Sequence, residues 1–198
     1  MILADKLYGL VLSGGKSTRM GKDKGLIPYH GIPQREHIYK LLTEVCDATY
    51  MSIREDQMDQ IPKNYNLIVD DDVYKGPYNG ILTAHHQFPN VAWLVLACDL
   101  PLIDRTALKE LIAFRNSHKL ATAFAAKKNP LPEPLCAIWE PEGLKLSVAY
   151  MKKQQGSCPR KFLIQNEVEL VFPSDEKVLL NANAEHEYQE ALKIVAVE

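Results

Sequence analysis

Long hydrophobic runs, paired cysteines, a strong net charge, repeats and linkers are all missing from this 198-residue chain, and each absence removes a class of function. No apolar stretch approaches the roughly 20 residues that span a bilayer, so no membrane-spanning helix is expected. Lys and Arg number 23 against 25 Asp and Glu, a net charge of −2. No overall field therefore draws the chain to nucleic acid, and any anion site must be made locally. The four cysteines, Cys46, Cys98, Cys136 and Cys158, are far apart and form no C-x-x-C pair. That argues against a zinc knuckle or a redox motif and suits reduced thiols in a cytoplasm. The opening residues MILADKLYGLVLSGG carry an acid and lack a basic stretch followed by a small-residue cleavage site, so they do not read as a signal peptide.

What is present is alternation of two patterns. Apolar, β-branched runs at 7–13, 48–53, 66–70, 92–97, 120–126, 135–139, 168–172 and 177–181 read as strands. Several are apolar on successive residues, as in strands covered on both faces. Between them helical spacing appears: Ile38, Leu41, Leu42 and Val45 after Pro33; Leu108, Leu111 and Ile112 after a capping Asp104; Leu144, Val148 and Met151 before Gly156; and Tyr188, Ala191, Leu192 and Val195. Strand then helix, repeated, predicts an α/β fold of Rossmann-like, three-layer kind with a mainly parallel central sheet. One domain over 1–198 is expected, with the loop-like KKNPLPEP (127–134) parting a nucleotide-binding half, about 1–126, from a substrate half, about 127–198.

In such a sheet ligands sit beyond the carboxyl ends of the strands, so the loop after the first strand is the first place to look. There Gly14 and Gly15 let the backbone approach a ligand and offer N–H groups to phosphate oxygens, while Lys16, Arg19, Lys22 and Lys24 supply countercharge. GGKST is not a P-loop, because that pattern needs a glycine where Leu10 stands, and G-x-G-x-x-G fits no spacing here. Asp99 ends the strand VAWLVLACD, and a carboxylate at a buried strand tip is well placed for a divalent ion such as Mg²⁺, which keeps waters and takes one or two protein carboxylates. Asp70, Asp71 and Asp72 follow another apolar run, but adjacent strand residues point to opposite faces, so only part of the triplet faces a ligand. His85 and His86 are adjacent and cannot chelate one metal as an i, i+4 pair would.

The stretch LVLSGGKSTRMGKDKGLIPYHGIP (10–33) resembles the signature of the molybdenum cofactor guanylyltransferases, LAGG-x-S-x-RMG-x-DK-x-L. The match runs through Leu12, Gly14, Gly15, Ser17, Arg19, Met20, Gly21, Asp23, Lys24 and Leu26; Ser13 departs from the usual Ala. GPYNGI (76–81) is similar to that family's GPLAGI, ACDLPLI (97–103) to its CDxP, PEPLCAIW (132–139) to its hPLxALW, and LLNANAEHEY (179–188) to its F-x-NINTPEEL. The resemblance implies GMP transfer from GTP to molybdopterin-bound molybdenum. It makes the opening loop a triphosphate clamp, with Leu12, Ser13, Gly14, Gly15, Lys24, Asp99, Asp70 or Asp71, and the helix-starting Gly76 and Gly80 about the nucleotide. Arg19, Lys24 and Asp99 become the catalytic set, with Mg²⁺ on Asp99. It also implies that Asn181 and Asn183 lie near the site, Asn183 equally suiting a helix N-cap. Arg160 or Lys161, in GSCPRKFL (156–163), would face the anionic pterin acceptor. Transient contact with other molybdenum cofactor enzymes is implied as well.

Rival readings are a cytidylyltransferase for the same cofactor, a sugar-phosphate nucleotidyltransferase with the same sheet, and a nucleotide-binding regulator without chemistry. Asp99, Lys24 and the N-x-N pair weigh against the last of these.

Overall fold

The computed structural model describes residues 6–15, 23–154, 158–182 and 185–195. Strand β1 (Leu7–Leu12) lies inside a sheet, flanked by β2 (Ala48–Ile53) and β4 (Ala92–Ala97), and β3 (Leu67–Val69) closes that edge beyond β2. Beyond β4 come β6 (Cys136–Trp139), β5 (Ala121–Phe124) and β7 (Glu169–Val171), giving the order β3-β2-β1-β4-β6-β5-β7. Pairings are parallel except those of β6, which runs against both β4 and β5.

The successive apolar residues of the central strands are explained by cover on both faces. In β4, Leu94 and Leu96 face one core, and Trp93 and Val95 the other. The first core is completed by Ile38, Tyr39 and Leu42 of α1 (Gln34–Thr43) and by Leu108 and Leu111 of α3 (Arg105–Ala113). The second takes Tyr78, Ile81 and Leu82 of α2 (Tyr78–Gln87), Leu144 of α4 (Pro141–Gln154), and Phe162 and Leu163 of α5 (Pro159–Ile164). Full burial of a side chain such as Ile38 or Leu42 stabilises by about 1.5–3 kcal/mol, so each helix is fixed mainly by its buried stripe. Caps set the ends: Asp104 accepts from the Ala107 amide at 2.7 Å, as its spacing predicts.

Two elements differ from expectation. The run at 177–181 is no strand: Asp175 accepts from the Lys177 amide and turns the chain into a 3-10 helix, Glu176–Leu179. Its apolar residues are a bridge, Val178 and Leu179 packing in the first core and Leu180 in a third small cluster. The stretch after Cys158 is the helix α5, started by Pro159 at its first position, where a missing N–H costs nothing. Gly156 lies outside the described residues.

The third cluster positions the site. Ile27 and Tyr29, just beyond the basic loop, pack on Ala191, Tyr188 and Leu192 of α6 (Glu185–Val195). The Tyr29 and Tyr188 rings meet edge to face at 5.5 Å.

Candidate nucleotide site

Strand order reverses between β1 and β4, and a crevice opens beyond the carboxyl ends of parallel strands at such a reversal. A cleft of about 460 Å³ lies there, with Leu12 and Ala97 from the two strand tips in its wall. Around it β2 contributes Ser52, the end of β3 contributes Asp70, and the turn into α2 contributes Gly76, Asn79 and Gly80.

These residues are joined to one another. Ser52 Oγ donates to Asp70 Oδ1 at 2.6 Å. A Cβ on Gly80 would lie 2.2 Å from Ser52 Oγ, and one on Gly14 would lie 2.5 Å from Asp70 Oδ2, so a side chain at either position would have to displace the Ser52–Asp70 pair. Burial raises the Asp70 carboxyl above the usual carboxylate range; hydrogen bonds from Ser52 and Asn79 oppose the rise, and Asp72 and Asp71 add to it. Asp71 is turned elsewhere: its Oδ1 accepts from Thr83 Oγ1 of α2 at 2.8 Å, and it does not line the cleft. Asp72, with a left-handed φ of 54°, does. Only part of the acidic triplet faces the cleft; the triplet lies past the end of β3, so the turn at Asp72 and the Thr83 bond of Asp71, rather than strand alternation, decide which carboxyls face it.

Asp99 follows β4, just past the cleft wall. Three contacts from different elements pin its turn: the Ala182 amide donates to Asp99 O at 2.9 Å, Gln34 Nε2 to Leu100 O at 3.3 Å, and His30 Nε2 lies 2.8 Å from Pro101 O. Burial raises its carboxyl, the Lys24 ammonium draws it back down, and Glu187 of α6 pushes it up again. Lys24 and Asp99 are thus near enough for their charges to interact, but neither lines the cleft. Among the described residues no group of three or more His, Cys, Asp or Glu side chains is gathered as a metal cage. A hard carboxylate that is not part of a cage fits an ion that takes its remaining ligands from phosphate oxygens and water.

Leu12, Gly14, Gly15, Gly76 and Gly80 line the cleft. Ser13 is buried behind it, its amide donating to Ser52 O at 2.9 Å. Asn181 is spent on its own backbone, its Nδ2 donating to Leu179 O at 3.1 Å. Arg160 is not in the cleft: its guanidinium donates to Glu133 Oε2 at 2.5 Å and to Pro132 O at 3.2 Å. Lys161 is exposed on α5. Arg19 and Asn183 lie outside the described residues. Of the histidine pair, His85 is buried in α2, while His86 is exposed.

Sequence reasoning missed Ser52, Arg54 and Asn79, which line the cleft, and Gln57 behind it, and it left open that Asp72 rather than Asp71 joins Asp70 there. The available signal was position: Ser52 and Arg54 stand at the carboxyl end of a parallel strand beside β1, where such sheets bind ligands.

Sheet order, cleft and acidic strand tips define a nucleotide-binding α/β protein of Rossmann-like nucleotidyltransferase fold. The chain belongs to the MobA-like NTP transferase domain family, whose model matches residues 9–170. It is 40% identical over 185 residues to a molybdenum cofactor biosynthesis bifunctional protein of Synechocystis, covering 92% of this chain and 52% of that protein. It is 33% identical over 128 residues to a probable molybdenum cofactor guanylyltransferase of Flavobacterium johnsoniae, covering 65% of this chain and 66% of the relative. The chain thus spans from about half to two thirds of the length of these curated relatives. Among solved structures, molybdopterin-guanine dinucleotide biosynthesis protein A of Archaeoglobus fulgidus superposes with a TM-score of 0.79 at 20% identity, covering 96% of this chain and 100% of that one. A CMP:2-keto-3-deoxy-manno-octonic acid synthetase complexed with CTP gives 0.70 at 12% identity, covering 98% of this chain and 99% of that one. At these identities the likeness is one of fold. No helix among the described residues is long and apolar enough to cross a membrane.

Proposed function

We propose that the chain transfers GMP from GTP to molybdopterin-bound molybdenum, giving the guanine dinucleotide cofactor and pyrophosphate. A terminal phosphate oxygen of the pterin attacks the α-phosphorus; the bond from that phosphorus to the bridging oxygen breaks, and pyrophosphate leaves with its electron pair. No protein nucleophile is required, so the residues act by placement and charge. In this reading the nucleoside lies in the cleft among Ser52, Asp70 and Gly80. The phosphates run along the Gly14–Gly15 backbone towards Lys24, with Arg19 on the same loop adding positive charge. Lys24 neutralises the leaving group, and Asp99 would hold Mg²⁺, which when bound supplies charge neutralisation at the phosphate oxygens.

The observation that carries this reading is the cleft of about 460 Å³ beyond the carboxyl ends of the parallel strands, walled by Gly14, Gly15, Ser52, Asp70 and Gly80, the place where a sheet of this order receives its ligand. The acceptor is assigned to the half from about residue 127, with Arg160 or Lys161 and the Asn181–Asn183 segment nearest to it. Leu135 shows that this half also contributes to the cleft wall. All four cysteines are free, which suits work in a cytoplasm beside the enzymes that make and receive the cofactor.

The test is the thermal midpoint with each nucleoside triphosphate and Mg²⁺, since a ligand that binds only the folded state stabilises it by mass action. GTP should raise it most. A larger rise with CTP would move the assignment to a cytidylyltransferase, and no rise with any triphosphate would end the nucleotide reading.

A further inference from the structure

We propose that Arg54 and Gln57, on the segment that leaves β2, are positioning residues that build an anion nest from the amides of Gly14 and Gly15. The inference rests on the nucleotidyl-transfer reading and deepens it, by naming what orients the backbone that receives the leaving pyrophosphate. The Ser13 amide still follows the β1–β2 ladder, donating to Ser52 O at 2.9 Å. Its carbonyl then accepts from Gln57 Nε2 at 3.1 Å. The next carbonyl, that of Gly14, accepts from Arg54 Nη1 at 2.9 Å. Two successive carbonyls are therefore tied to residues of one segment, on the β2 side of β1.

A trans peptide points its carbonyl and the following N–H in opposite directions. Holding Ser13 O thus aims the Gly14 N–H, and holding Gly14 O aims the Gly15 N–H, both away from the β2 segment. On that other side of β1 stands β4, which leads to Asp99. Successive amides turned one way make a concavity that receives an anion, and donors fixed beforehand need no rearrangement when charge develops on a leaving group.

The clamp is itself braced. Gln57 is 1% exposed, its Oε1 accepts from the Arg54 amide at 2.9 Å, and its Nε2 also reaches Asp23 Oδ2 at 3.1 Å. One buried amide therefore holds both Ser13 and Asp23. The remaining guanidinium nitrogens of Arg54 are engaged by Asp56, Nε at 2.9 Å and Nη2 at 3.2 Å. The guanidinium is thereby held in place on Gly14 from a side chain that also lines the cleft, so Gln57, buried behind it, is the cleaner probe of positioning.

The test is calorimetric titration of the wild type, Arg54→Met, Arg54→Lys and Gln57→Met with inorganic pyrophosphate, GTP and GMP, each with Mg²⁺, beside circular dichroism melts. Methionine matches glutamine in length and replaces the inner stem of arginine, and it removes the donors of either. Arg54→Met and Gln57→Met should each weaken pyrophosphate and GTP by about tenfold or more, near 1.4 kcal/mol, while leaving GMP within about twofold. Arg54→Lys, which keeps a donor, should recover part of the loss. Equal weakening of GMP would overturn the proposal by making the pair general scaffolding, as would unchanged pyrophosphate affinity in both methionine variants or a wild type that binds no pyrophosphate. If the wild type prefers another triphosphate to GTP, the guanine assignment fails, and the pyrophosphate titration still decides the clamp. Should Arg54→Met be unfolded at the assay temperature, Gln57→Met carries the same decision.

Discussion

Charge is handled differently on the two sides of this sheet. In the half that follows β4 it is matched internally: Arg115 grips Glu140 with two nitrogens at 2.7 and 2.9 Å, Arg160 pairs with Glu133, and Lys119 with Glu167. Around the tips of β1, β3 and β4, by contrast, Asp70 and Asp99 are carboxyls whose burial makes ionisation costly; among the described residues hydroxyl and amide donors and the Lys24 ammonium offset that cost, while Asp71, Asp72 and Glu187 add to it. Paired charges of the first kind hold the chain to itself. Carboxyls kept at an open cleft, at a cost, are what a cationic or hydrogen-bond-donating ligand requires.

The sharpest way to break this contrast is Asp99→Asn. It keeps the shape and removes the charge, so nucleotidyl transfer should fall about a hundredfold or more, roughly 3 kcal/mol of transition-state stabilisation, in a protein whose melt is unchanged or slightly higher. Pyrophosphate release at saturating Mg²⁺ measures it; a folded variant that keeps more than about a third of the rate, a loss under 1 kcal/mol, would make Asp99 a turn residue.

Two glycines separate the regions next. A Cβ at Gly143 in α4 would lie 2.1 Å from the backbone oxygen of Leu120, which also receives the Glu140 amide, so Gly143→Ala must move backbone. Its stability loss should reach the upper end of the roughly 1–3 kcal/mol typical of overpacking, with GTP affinity of the folded protein unaltered. Gly80→Ala meets Ser52 Oγ, which can rotate away only by releasing Asp70. Its stability loss should be smaller and its loss of GTP affinity larger. Denaturant melts and GTP titrations of both variants decide the matter, and equal effects of the two on GTP would erase the regional difference.

How much of this was open to reading from the sequence follows the same division. Strand and helix order were legible because burial on both sheet faces leaves plain apolar runs, and the places of Gly14, Gly15 and Asp99 just past strand ends were legible because glycine pairs and strand-end acids are local signals. Ser52, Arg54 and Gln57 were not, since their roles exist only once β2 is laid beside β1, which brings residue 57 against residues 13 and 23. The run at 177–181 misled because an apolar bridge between two clusters has the composition of a strand. The pairing of Arg160 with Glu133 was not legible, because the two lie 27 residues apart.

A smaller effect is set by pH. Burial pushes His37 and His85 down to about 4 from an ordinary 6.5, with His30 stacked on His37 at 3.8 Å and His86 beside His85 assisting. Folded values below the unfolded one mean that stability is whole above about 6.5 and is lost as pH falls towards 4, because the unfolded chain takes up the protons first. Asp70 and Asp99, whose values are raised, work the other way as they approach protonation. The His85 contribution is therefore read as a difference: His85→Gln should flatten the fall in melting temperature between pH 6.5 and 4.5 relative to the wild type. Parallel curves would contradict it.

The smallest effect is expected at Arg160→Ala. Its pair with Glu133 is 43% and 29% exposed by side chain, and such pairs contribute about 1 kcal/mol or less. If this side meets the acceptor, the KM for the pterin should rise while that for GTP stays put. An unchanged KM for both would leave Arg160 a purely internal partner.

The most direct measurement of the central claim is product formation by the wild-type protein with labelled GTP, molybdenum-bound molybdopterin and Mg²⁺. The account requires pyrophosphate and guanine dinucleotide in equal amounts, both dependent on the acceptor and both absent when CTP replaces GTP. Bound GTP that yields neither product, or product made from CTP instead, would contradict it.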